Sequence, residues 1–187
     1  MNKVLIGGVL GGVLMFVWGA VAHMVLSLGH VGYSELSTTQ EAALLGALAV
    51  APPEAGLYMY PTMDTTNTPE ARARNEERVK SHPRGIFSYT PKDPAFGMGG
   101  ILGKEFATNV LCGLLIAVVL ALGAVRSVGN RILVGTLIGA YAAVAVSFSF
   151  SIFYGFPTAF SGASLLFEAV GGLVAAVPPA LMIKPRG

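Results

Sequence analysis

The chain has 187 residues, of which 53% are hydrophobic, 12% charged and 24 glycine, and its formal net charge is +2. Soluble domains carry about 25% charged residues and about 7% glycine, so a disordered chain is excluded and a soluble globular one disfavoured. The mean hydropathy of +0.66 agrees, and glycine in such excess without a collagen period points to close helix packing in a membrane. The small net charge excludes a nucleic-acid partner, and a single cysteine, Cys112, excludes an internal disulfide or a multi-cysteine metal site.

A membrane-spanning helix needs about 20 mostly apolar residues. Segments 4–28, 106–125, 132–152 and 163–183 meet that length. Their ionisable groups are His23 in the first, the Cys112 thiol in the second and Glu168 in the fourth. The expected fold is an all-α membrane bundle of four helices with a small α+β cap, 29–104, between the first and second. Lys3, Arg126, Arg131, Lys184 and Arg186 all flank one side, whereas 153–162 carries no charge. The positive-inside rule then puts both termini in the cytoplasm and the cap on the extracytoplasmic side of the plasma (inner) membrane. Lys3 followed by Ala20-Val21-Ala22 has the pattern of a secretory signal. The long apolar run and Gly7, Gly8, Gly11 and Gly12 within it argue for an uncleaved span. Tyr141, Phe148, Phe150, Phe153, Tyr154, Phe156 and Phe160 supply an aromatic rim at the outer interface, with Tyr154-Gly155-Phe156-Pro157 as a tight turn.

The 76-residue cap holds eight of the ten acids and seven of the twelve bases. Thr38 and Glu41 form a capping box before the apolar run 42–50, and Pro52-Pro53 stops that helix. Residues 56–61 and 85–90 read as strands bounded by breakers. Between them Thr68-Pro69 starts a helix over 70–80, with Glu70/Arg74 and Glu76/Lys80 as i,i+4 pairs. Residues 91–100 read as a Gly/Pro-rich linker. Two strands alone are marginal in water, so Tyr58, Tyr60, Phe87 and Tyr89 are expected to rest on the membrane face or a partner.

Two intramembrane groups are the site candidates. Glu168 shares a helix face with Ser161, Ser164, Gly171, Gly172 and Ala175, a small-residue face suited to close approach. His23 lies near one face with Gly8, Gly12 and Gly19. Each sits five residues inside one end of its span, so the two are expected at equal depth and joined by a His23–Glu168 hydrogen bond. Such a pair is either a structural clasp or a proton relay. Gly8, Gly12, Gly19, Gly171 and Gly172 are the expected packing glycines. No cofactor is expected; a pigment or haem with His23 as its single axial ligand is a further reading. Cys112 reads as an inert thiol in apolar surroundings. Thr108 and Asn109 are expected to bond across helices, and Pro178-Pro179 to kink the last span. Catalytic, P-loop, dinucleotide and zinc-protease motifs are absent, and the chain reads as no enzyme.

Trp18-Gly19-x-x-x-His23-Met24, Gly56-Leu57-Tyr58-Met59-Tyr60-Pro61 and Tyr154-Gly155-Phe156-Pro157 together resemble a group of small, uncharacterised four-span bacterial membrane proteins. The resemblance covers most of the chain and implies a bacterial inner-membrane location, with no activity attached. The functional expectation is a non-catalytic accessory or assembly subunit of a larger membrane complex, such as a respiratory or photosynthetic one. Its partners would be membrane lipid and other subunits, or further copies of itself. The alternative is a small proton-coupled carrier or channel using Glu168 and His23.

Overall fold

A computed structural model describes residues 2–50, 53–123 and 125–184. Pro52 of the expected helix stop and Arg186 of the basic flank lie outside the described residues. The fold is mostly helical, with four helices long and apolar enough to cross a membrane and one two-stranded sheet. The chain divides into two compact units, one of 1–33, 97–151 and 156–187, the other of 34–96 and 152–155.

The first unit contains the long helices. These are α1 (Asn2–Met24), α4 (Met98–Leu122), a helix that runs from α5 (Val128–Ala143) through a π turn (Val144–Phe148) into α6 (Ser149–Tyr154), and α7 (Thr158–Met182). α7 is central: α1 and α5 pack along it, α4 packs along α1, and α4 and α5 barely meet. The long helices extend the apolar segments at one end. α4 begins at Met98, about two turns before Phe106; Gly99, Gly100 and Gly103 disfavour a helix there but do not end one as a proline would. α1 stops at Met24, and Ser27 adopts a left-handed φ of 53° before a 3₁₀ turn, Leu28–His30.

Glycine decides how close the helices come. A Cβ on Gly12 would meet the Val110 backbone and the Asn109 carbonyl, and one on Gly113 would meet Gly8 and Gly12. One on Gly135 would meet the Gly172 carbonyl, and one on Gly139 the carbonyl of Glu168. α1 thus lies backbone to backbone on α4, and α5 on α7, as small-residue membrane interfaces do. Gly171 makes only ordinary contact with Met15 and Trp18, and Gly19 has open space where its Cβ would stand. Gly19 is therefore not a packing glycine. It was expected to be one because helical spacing places it near the Gly8–Gly12 face.

α7 continues as one helix through Pro178 and Pro179. Proline at 179 removes the donor that the Ala175 carbonyl would have used. That oxygen instead faces the bare backbone of Gly11, a place where Cα–H can partly replace the lost bond. Arg131 takes up further α7 carbonyls. Its side chain is buried, with Nε donating to the Val125 carbonyl at 2.8 Å and Nη1 to those of Ala180 (3.3 Å) and Ile183. Among the described residues Thr108 and Asn109 do not bond across helices. Thr108 Oγ1 donates to the Lys104 carbonyl, and Asn109 Nδ2 to Glu105 Oε1 at 3.0 Å, both within α4.

In the second unit, β1 (Gly56–Tyr60) and β2 (Gly85–Tyr89) pair antiparallel with Tyr58 opposite Phe87. Those two rings stack on each other with centroids 5.3 Å apart, so part of the expected aromatic contact surface is used inside the sheet. α2 (Thr38–Val50) is capped one residue earlier than expected. Ser37 Oγ accepts from Gln40 N–H (3.3 Å), while Gln40 Oε1 accepts from Ser37 N–H (2.9 Å). This is a capping box in the Ser/Gln form. α3 (Pro69–Ser81) starts at the expected cap, Thr68 Oγ1 accepting from Ala71 N–H.

Glu76 pairs with Lys80 at 2.6 Å as expected. Arg74 does not pair with Glu70; it reaches Asp64 at 2.5 Å. Asp64 also accepts from the Thr66 hydroxyl and N–H, while Asn75 clamps the Asp64 backbone. The Thr66 bonds and Arg74 hold the Asp64 carboxyl well below the usual carboxylate range. A depressed folded-state value contributes stability that is complete above the unfolded value, about 4, and is lost as pH falls through the folded one. Amide protection at Thr66, corrected for intrinsic exchange, should hold from about pH 7 to about pH 5 and decline below about pH 4. Asp64→Asn should remove that decline.

Candidate functional site

The candidate site lies in the first unit, where α1, the 3₁₀ turn, the π turn and α7 surround a cavity of about 330 Å³. Both intramembrane candidates, His23 and Glu168, line it, together with Tyr33, Phe150, Phe160 and Phe167. The two were expected at equal depth and joined by a hydrogen bond; the structure brings both to one cavity and pairs His23 elsewhere. His23 Nδ1 bonds the Gly19 carbonyl at 2.9 Å, and the ring stands edge-on to Phe167 at 5.3 Å. An imidazole on a helix finds the i−4 carbonyl without leaving its own turn, and Phe167 fixes the ring plane there. No hydrogen bond joins His23 to Glu168 among the described residues.

The cavity walls are held by bonds between helices. Trp18 Nε1 donates to the Phe167 carbonyl at 3.0 Å, tying α1 to α7. Ser161 Oγ donates to the Ser147 carbonyl at 2.9 Å and contacts Ser151 Oγ at 2.6 Å. The π turn shifts backbone carbonyls out of the α-helical ladder, and Ser161 meets the one at 147. Ser149 Oγ bonds the Ala145 carbonyl four residues back, as an interior helical serine can. Phe156 packs tilted against Phe150 and edge-on to Phe160, at 5.3 Å from each, and Tyr33 lies edge-on to Phe160. Gly155 has a φ of +74°, which gives the expected turn its glycine.

Glu168 also borders a second cavity, of about 150 Å³, walled by Cys112, Leu115 and Val119 of α4 and Ile138 and Ala142 of α5. This one is apolar apart from the carboxyl and the thiol, and it occupies the region where α4 and α5 barely meet. Glu168 accepts no hydrogen bond from the described residues and has no ion-pair partner among them.

The π turn and the bond-making role of Arg131 were not anticipated. The residues of the π turn, Val-Ala-Val-Ser-Phe, carry no mark separating them from ordinary helix. Arg131 was read only as a flanking charge. A macrocycle on His23 fits poorly: with Nδ1 on Gly19, the edge carrying Nε2 lies so close to Gly29 that a Cβ there would overlap it. No group of three His, Cys, Asp or Glu suited to a metal occurs among the described residues. No known protein family, curated protein or solved structure matches the chain.

Proposed function

We propose that the protein is a non-catalytic accessory or assembly subunit of a larger complex in a bacterial inner membrane. In this reading both termini are cytoplasmic, and α2, the sheet and α3 face the extracytoplasmic side. The basic flanks Lys3, Arg126 and Lys184 support that orientation.

The observation that carries the reading is α2. No residue of this helix is buried, and Leu44, Leu45 and Val50 are 50%, 57% and 88% exposed. Its only charge is Glu41, in the first turn. With 13 residues it is too short to cross a bilayer. By contrast α3, in the same unit, is charged along its length and keeps Ala71 fully buried. An apolar helix left open, in a unit whose other helix is solvated, matches a partner with an apolar protein surface.

The test is Leu44→Asp/Leu45→Asp in the full chain, expressed in its native membranes. The variant should keep the wild-type unfolding temperature and lose co-purification with its partner. If it co-purifies as the wild type does, the subunit reading fails at this helix. If it instead loosens from lipid with no partner seen for either form, α2 is a membrane-surface helix.

A second reading, a proton-coupled carrier, draws on one observation: His23 and Glu168 face one cavity. The apolar lining beyond Glu168 offers no continuous polar route, and transporters present polar residues on several helices.

A further inference from the structure

We propose that the two cavities bordering Glu168 bind an amphiphile with an ammonium head and an alkyl tail. The head would lie in the larger cavity against Glu168, and the tail in the apolar one between α4 and α5.

Charge is the first support. A carboxyl within a span is expensive unless something compensates it, and Glu168 has neither a hydrogen bond nor an ion pair within the described chain. Glu105 on α4 is engaged by Asn109 and, among the described residues, has no basic partner either. A bound cation supplies what the fold leaves out.

The lining is the second support. Phe150, Phe160, Phe167 and Tyr33 border the same space as the carboxyl. Aromatic faces attract ammonium groups, most strongly where water is excluded. A bare metal ion would need several oxygen or nitrogen ligands, and the described residues offer no such group.

The third support is the position of Glu168, shared between an aromatic cavity with Ser147 and Ser164 in its wall and one lined by aliphatic side chains. A ligand charged at one end and apolar at the other matches that sequence of surfaces.

Trp18 is the only tryptophan, and its indole bonds the Phe167 carbonyl, so its emission reports on the cavity wall. The experiment titrates the full chain in nanodiscs with hexyltrimethylammonium, hexyl sulfate and hexanol. A saturable change in Trp18 emission is expected with the ammonium compound only. Glu168→Gln should weaken it about tenfold or more, and Ala163→Leu, which fills the cavity wall, should abolish it. The proposal is overturned if the three compounds act alike, if the ammonium compound gives no saturable change, or if a folded Glu168→Gln binds as the wild type does. Should Glu168→Gln not fold, Ala163→Leu decides: an unchanged response overturns the proposal. Nanodiscs of phosphatidylethanolamine and of phosphatidylglycerol separate the two sources of such a head. Competition in the former only assigns a lipid, and equal binding in both assigns a free alkylamine.

Discussion

Replacing Arg131 with leucine is expected to lower the stability of the folded chain by about 3 kcal/mol or more. The side chain is 1% exposed. Its guanidinium joins the Val125 carbonyl, in the turn after α4, to the Ala180 and Ile183 carbonyls at the end of α7. The last carbonyls of a helix have no donors within it. Each one left buried and unpaired costs about 1–3 kcal/mol. Arg131→Lys should fall between wild type and leucine, since an ammonium lacks the planar fork that reaches separate oxygens. Unfolding in one fixed detergent, by heat or by titrated dodecyl sulfate, ranks the three. A leucine variant as stable as wild type would show that Arg131 does not tie these segments together.

The second large effect is expected at the glycine contacts. Gly12→Leu sets a side chain into the Val110 backbone and the Asn109 carbonyl, and Gly172→Leu into the backbone of Gly135. Overpacking costs about 1–3 kcal/mol when side chains can yield. Here the obstacles are backbone atoms, so the helices must separate, and each variant should reach about 3 kcal/mol. Gly19→Leu is the control. Its Cβ meets nothing within 4 Å, so its effect should stay within about 0.5 kcal/mol. The same unfolding assay reads all three, and equal losses at Gly12 and Gly19 would contradict the packing described.

The four long helices were legible because an apolar run of about 20 residues has few other uses. Their ends were less legible. Met98–Glu105 mixes glycine with Lys104 and Glu105, so hydropathy stopped at Phe106 while the helical backbone did not. The cap of α2 moved by one residue because Ser37 and Thr38 both open a box, and only the geometry separates Gln40 from Glu41 as the reciprocal acceptor. Arg74 found Asp64, ten residues earlier, because loop 61–68 folds back onto α3 through Asn75 and Asp64.

At the site, the direction of the side chains was not readable. Counting from the helix ends gave His23 and Glu168 equal depth, and both line one cavity. The rotamer of His23 was decided by the Gly19 carbonyl and the Phe167 ring, neither of which sequence spacing specifies. The aromatic residues 148–160 were read as an interface rim. Phe156 instead packs tilted against Phe150 and edge-on to Phe160, and the latter two line the cavity. Val146 and Ser147 of the π turn line the same cavity, and that turn leaves no mark in composition.

The most direct test of the account is purification of the full chain from its native membranes in mild detergent, followed by native mass spectrometry and an absorption spectrum of the intact species. The account predicts a defined larger assembly that contains this chain, and its loss when Leu44 and Leu45 are replaced by aspartate. A lone monomer or a small homo-oligomer, unchanged by that replacement, would contradict the subunit reading and shift the weight to transport through Glu168.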